Sequence, residues 1–150
     1  MAVYYLETSA LVKLYVREAG TDRLLALTGR SSGNRFAILA LSRIEFRSAI
    51  RRRERNGEMP AAIAAQLIDT FERHVEGTFL TQVVTDYVLD KALLMIDRYP
   101  LRAFDAIQLA GYLVLTNSAA GGSVPVFVCS DQALLSAAGR EGFPTFDPCA

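Results

Sequence analysis

The chain is poor in three features that would have narrowed its setting at once. It has only two cysteines, Cys129 inside an apolar run and Cys149 next to the last residue. That pattern excludes a disulfide framework and a thiolate metal site, and a reducing cytosol is the expected compartment. Net charge is also missing, because sixteen basic and sixteen acidic side chains cancel. No overall field therefore draws the protein to nucleic acid or to a membrane surface, and any such attraction must come from local patches. Finally, no uninterrupted apolar run is long enough to span a bilayer. Glu7 and Lys13 break the amino-terminal stretch, which reads as no secretory leader, and Gln108, Asn117, Gly121, Gly122 and Pro125 break the uncharged segment from Ala106 to Ser130.

Internal repeats, low-complexity tracts and linkers are absent as well, so residues 1–150 are expected to form a single domain. A chain of this length buries roughly 70% of the surface it exposes when unfolded, and needs neither disulfide nor metal to fold. Apolar residues make up 51% and charged residues 21%, which excludes disorder. Lys13 and Lys91 are the only lysines, leaving fourteen arginines, the side chain better suited to gripping phosphate through a planar fork.

Short β-prone runs alternate with helical segments. Val3 to Leu6 reads as a strand, followed by Thr8-Ser9 as capping hydroxyls for a helix over Ala10 to Glu18. Thr21 to Thr28 fits a second helix. Phe36 to Leu41 reads as a buried strand, and Ser42 as the cap of a long helix ending near Arg55. Asn56-Gly57 and Pro60 separate this from a helix over Ala61 to Val75, which Gly77 stops. Thr78 to Val84 is strand-like, Thr85 to Tyr99 helical, and Pro100 precedes a helix from Arg102 to Thr116. A Gly121-Gly122 turn leads to a strand over Val124 to Cys129. Ser130 and Asp131 open a helix to Arg140, and Phe143 to Phe146 forms a last strand. Such alternation predicts a three-layer α/β/α sandwich with a central parallel sheet.

In such a sheet the ligand site lies beyond the carboxyl ends of the strands. Glu7 and Asp131 sit there directly, after the first and fourth strands. Glu45 and Asp105 fall in the first turns of their helices. Acids in first turns are common for dipole reasons alone. Yet Glu7 and Asp105 are embedded among apolar neighbours, where an unpaired carboxylate is costly, and converging carboxylates need a neutralising cation. Oxygen-only ligands with no usable His or Cys favour Mg2+ or Mn2+, shared with waters and a substrate phosphate. That chemistry points to phosphodiester hydrolysis.

The segment from Tyr5 to Tyr15, with Leu6-Glu7-Thr8-Ser9-Ala10 at its centre, resembles the opening motif of PIN-domain ribonucleases, VapC-type toxins above all. Ser42-Arg43-Ile44-Glu45, Leu101 to Ala110 (with Arg102-Ala103-Phe104-Asp105-Ala106) and Ser130 to Ala138 resemble the three that follow. The resemblance implies a PIN-like fold and a magnesium- or manganese-dependent endoribonuclease acting on structured RNA. It also implies a cognate VapB-type antitoxin and a homodimer. By position, Glu45, Asp105 and Asp131 match the family's acids, whereas Glu7 stands where the family has aspartate. The extra methylene displaces the carboxylate by about 1.5 Å against a tolerance of roughly 0.5 Å. Two readings stay open: an active nuclease, or a module that binds antitoxin or RNA without turnover. A phospho-acceptor receiver lacks its adjacent acids and lysine here.

Thr8, Ser9 and Ser130 are expected to cap helices, and by resemblance to orient a carboxylate as well. Arg52 lies at nearly the azimuth of Glu45 and is a candidate ligand of an RNA phosphate, whereas Arg102, three residues before Asp105, is expected to pair with a carboxylate, with an RNA phosphate as its second reading. Arg43, Arg47, Arg51 and Arg55 form a stripe expected to be a solvated face, with a partner or RNA backbone as the second reading. His74 is expected at the surface, and Tyr4, Tyr5, Tyr15 and Tyr112 in packing roles.

Overall fold

A computed structural model of the chain describes residues 1–118 and 122–150. Five strands, β1 (Val3–Leu6), β2 (Arg35–Leu39), β3 (Leu80–Gln82), β4 (Val126–Val128) and β5 (Thr145–Phe146), form one sheet in the order β3-β2-β1-β4-β5. Every pairing is parallel. The helices are α1 (Thr8–Val12), α2 (Thr21–Leu25), α3 (Ser42–Arg55), α4 (Ala61–Gly77), α5 (Asp86–Arg98), α6 (Ala103–Ser118) and α7 (Gln132–Arg140). This is the three-layer α/β/α architecture expected from the alternation of elements.

The sheet is buried on both faces because both faces of its strands are apolar. Tyr5, Ala37, Leu39 and Phe127 pack with α5, α6 and α7. The alternate residues Leu6, Phe36, Ile38 and Val128 pack with α1, α3 and α4. Helix α6 comes unusually close to the sheet. A Cβ at Gly111 would lie 2.5 Å from Leu39 Cδ1 and 3.0 Å from the Tyr5 hydroxyl, so glycine is what lets α6 settle there.

Several boundaries differ from the sequence reading. Helix α1 ends at Val12, since the chain from Lys13 onward turns under Thr21, whose hydroxyl donates to the Lys13 carbonyl at 2.9 Å. The strands are shorter than their apolar runs, and α4 runs through Gly77. Thr8 and Ser9 lie inside α1, whose N-cap is Glu7. Ser42 is the first residue of α3 after an N-cap at Leu41, and its hydroxyl is spent in the site. Gly121 of the expected glycine turn lies outside the described residues. His74 is half-buried and 2.6 Å from the Tyr15 hydroxyl, because its ring closes an aromatic cluster with Tyr15 and Phe79. No described helix is long and apolar enough to cross a membrane.

Candidate active site

The strand order reverses at β1: the chain adds β2 and β3 on one side, then β4 and β5 on the other. A crevice opens at such a reversal, beyond the strand ends. Here the Glu7 amide donates to the Val128 carbonyl at 3.0 Å, extending the β1–β4 ladder by one bond before both chains leave the sheet. Residues Ser9 and Ser130 then tie the two exits together, the Ser130 amide donating to Ser9 Oγ at 3.2 Å.

A cavity of about 610 Å3 lies at this edge, lined by Glu7, Thr8, Ser9, Glu45, Arg52, Arg102 and Asp105 among others. Three of the four acids singled out in the sequence, and both arginines proposed for phosphate, therefore face one space. Each of the three acids holds one oxygen against the protein. Glu7 Oε2 accepts from the Ser9 amide at 2.9 Å, from Ser9 Oγ at 2.5 Å and from the Cys129 thiol at 3.3 Å. Glu45 Oε1 accepts from Thr8 Oγ1 at 2.8 Å and from Gln108 Nε2 at 2.7 Å. Asp105 Oδ2 accepts from Arg102 Nε at 3.0 Å. The second oxygen of each has no protein partner among the described residues. None of these oxygens is sealed from solvent either, since no buried polar side-chain atom there lacks a hydrogen bond.

Glu7 is only 5% exposed, and burial raises its pKa; the Ser9 and Cys129 hydrogen bonds work against that rise, and the charge of Glu45 adds to it. Its role as N-cap of α1 explains the orientation. The carboxylate folds back over the first turn of the helix and accepts from the Ser9 amide. Burial, aided by the charge of Glu7, likewise pushes the Cys129 thiol up, which keeps it a hydrogen-bond donor. The fourth acid, Asp131, takes a different place. It is the N-cap of α7, accepting from the Leu134 amide at 3.1 Å, and it is not among the residues lining the cavity. Its link to the site runs through Cys129, whose sulfur accepts from the Asp131 amide at 3.2 Å. The Ser130 hydroxyl lies 3.6 Å from Cys149 Sγ and caps no helix.

Gln108, to which the sequence reading assigned no role, and Ser42, expected only as a helix cap, organise the Glu45 side. Gln108 is fully buried, and its two N–H bonds face three acceptors, Thr8 Oγ1, Ser42 Oγ and Glu45 Oε1. The Tyr5 hydroxyl donates to the Gln108 side-chain oxygen at 3.1 Å and to its backbone carbonyl at 2.9 Å. A signal for both residues was present: Gln108 follows Asp105, and Ser42 precedes Glu45, by three residues, the spacing of neighbours on one helix face.

The chemistry of the donor set fits a hard divalent cation: it is all oxygen, and each cavity acid offers one free oxygen. Among the described residues, however, no three His, Cys, Asp or Glu side chains are gathered as a ready ligand set, so the expected ring of four acids is not closed. Arg102 supplies positive charge in the meantime. The hydrogen bond and charge of Asp105 raise its pKa, and the charges of Asp131 and Glu7 add to the effect.

No protein-family model and no curated protein matches the sequence. Solved structures do resemble the fold. A toxin–antitoxin complex from Klebsiella pneumoniae aligns with a TM-score of 0.63 at 14% identity, covering 97% of each chain. VapBC2 from Rickettsia felis, bound to a DNA fragment from its promoter, aligns with a TM-score of 0.64 at 10% identity over 97% of this chain and 98% of that one. PAE2754 from Pyrobaculum aerophilum aligns with a TM-score of 0.60 at 23% identity over 91% and 79%. At these identities the likeness establishes the fold, and the chain has the PIN-like α/β/α sandwich that its motifs led one to expect.

Proposed function

We propose that the chain is a metal-dependent endoribonuclease toxin of the VapC type. The observation that carries this reading is the shared cavity: Glu7, Glu45 and Asp105, from three separated segments, each present one unpartnered oxygen to it. Arg52 lines the same cavity and has no ion-pair partner among the described residues, which suits it to a phosphate of the bound strand. The likeness to toxin–antitoxin structures supports a VapB-type antitoxin as partner, and the reading includes a homodimer working in the cytoplasm.

Glu7, Glu45 and Asp105 would hold Mg2+ or Mn2+, with Asp131 contributing from the start of α7. When bound, the cation neutralises the converging carboxylates, lowers the pKa of a water and screens charge on the leaving oxygen. The chain's own residues do the positioning. Gln108 and Thr8 fix Glu45 through neutral donors, so its charge stays available to the cavity. Ser9 fixes Glu7, and Arg52 orients the scissile strand.

One observation favours a second reading, a PIN module that binds without turnover. Glu7 is committed to capping α1 and to the Cys129 thiol, and burial favours its neutral form. A cleavage assay on structured RNA with added Mn2+ separates the two, comparing the wild type with Glu7→Asp and Asp105→Asn. The nuclease reading expects cleavage by the wild type, loss in Asp105→Asn, and products with 5′-phosphate and 3′-hydroxyl ends. Cyclic 2′,3′-phosphate ends, or activity that survives Asp105→Asn, would refute it. Cleavage by Glu7→Asp alone would establish the second reading.

A further inference from the structure

A second cavity, also of about 610 Å3, lies along α3 and is lined by Arg43, Arg47, Arg51 and Arg55, with Glu72 of α4 as its single acid. The stripe meets solvent, as expected, and also lines this groove. Arg43 is fastened to Glu72 by three hydrogen bonds, of 3.4, 3.1 and 2.8 Å, which join α3 to α4. Arg47 reaches Glu72 only at 3.7 Å, Arg51 pairs with Glu54 on its own helix, and Arg55 has no ion-pair partner among the described residues. Ile44 and Ser48 line both this groove and the carboxylate cavity, so the two spaces adjoin across one turn of α3.

We infer that this groove is the track for single-stranded RNA flanking the scissile phosphate. The inference rests on the endoribonuclease reading and adds to it the path of the substrate. Residues four apart on a helix rise by about 6 Å, comparable to the separation of successive phosphates along an extended strand. Arg47, Arg51 and Arg55 therefore present guanidinium groups in phosphate register. Adjacency to a carboxylate-lined cavity selects nucleic acid over an acidic polypeptide, because a strand held there at its cleavable phosphate meets the arginine groove one helical turn away. Phe104, 58% exposed at the rim of the carboxylate cavity, offers a ring face on which an unpaired base stacks.

The test is fluorescence anisotropy in chelator, with a labelled trinucleotide and a labelled dodecanucleotide RNA of mixed sequence. The Arg47→Ala/Arg51→Ala/Arg55→Ala variant, which keeps the Arg43–Glu72 fastening, is compared with the wild type and with the corresponding triple lysine variant. Circular dichroism checks the fold of each. The track predicts that the preference for the long RNA over the short one falls at least about tenfold. The slope of log affinity on log salt should become shallower by about 2, at about 0.7 per single-strand phosphate. Lysines should restore most of both. Unchanged affinity and salt slope for the long RNA, in a protein that still cuts RNA with Mn2+, would overturn the track and leave the nuclease reading standing. So would a polyglutamate peptide that loses affinity in the alanine variant while RNA does not. A wild type that neither binds nor cuts RNA would remove both.

Discussion

The Glu45 side of the cavity and the Glu7 side are supported by different kinds of partner. Glu45 is held by neutral groups, the Thr8 hydroxyl and the Gln108 amide, themselves locked by Tyr5 and Ser42. Such donors orient a carboxylate without cancelling its charge. Glu7 instead bends into a helix cap and a thiol contact, and Asp105 is drawn onto a guanidinium. The donors to Glu7 are neutral too, so only Asp105 has its charge met by a cation, and each of the two keeps its second oxygen free. The contrast shows that pre-organisation of a cation site needs partners that aim a carboxylate yet leave it in need of charge. Glu45 and Glu7 meet that condition through neutral donors, and Asp105 meets it only after giving up Arg102.

The largest expected effect comes from removing charge on either side. Asp105→Asn and Glu45→Gln should each lower Mn2+-supported RNA cleavage by about 100-fold or more, on the scale of losing a positioned catalytic group. A loss confined to one of them would mean that the two acids serve different sites. Next, Glu7→Asp shortens the side chain that folds back over α1. It should raise cleavage by up to about 100-fold, the usual scale for correcting a misplacement of an ångström or so. Equal rates would show the extra methylene to be harmless.

The neutral side can be broken through its amide. Gln108→Leu removes one bond each from Thr8, Ser42, Glu45 and the Tyr5 hydroxyl, while Thr8 keeps Ser42 and Glu45 and Tyr5 keeps the residue 108 carbonyl, so denaturant unfolding should show a total loss of about 1–3 kcal/mol. Arg102→Ala should sharpen the other side by freeing Asp105, tightening Mn2+ binding by no more than about fivefold, as befits an exposed ion pair. Weaker Mn2+ binding in that variant would show that Arg102 assists the cation instead of standing in for it.

The smallest effect concerns pH. Because burial raises the Glu7 pKa in the folded chain, its neutral form suits the fold best, and metal-free protein loses stability as pH rises through that raised value. Glu7→Gln should therefore gain melting temperature over the wild type as pH climbs above the ordinary carboxylate value of 4.5, with no gain below it. A gap that is constant with pH would assign the difference to packing.

Much of this was legible in the sequence because apolar runs and their first following acids follow directly from parallel-sheet topology. Glu7 after β1 and Glu45 and Asp105 in first helical turns needed only that rule to be placed at one edge. Asp131 obeys the same rule, spending one oxygen as the cap of α7 as Glu7 does at α1 and lying close enough for its charge to act on Arg102. The folding back of Glu7 depended on a side-chain torsion that no spacing encodes. Gln108 was missed because its role is set by three partners from three segments. Its presence in the uncharged stretch of α6 that follows Asp105 was the available hint. The arginine stripe, placed by helical azimuth on a face away from Glu45, meets the site through Ile44 and Ser48 because a cavity is wider than one side chain's direction.

The most direct test of the shared cavity is anomalous diffraction from a crystal of the full chain soaked in Mn2+. The account predicts a peak within ligand distance of the free oxygens of Glu45 and Asp105, with Glu7 turned toward it and Arg102 displaced from Asp105. Manganese bound elsewhere, with the Arg102–Asp105 pair intact and the cavity holding only water, would contradict it.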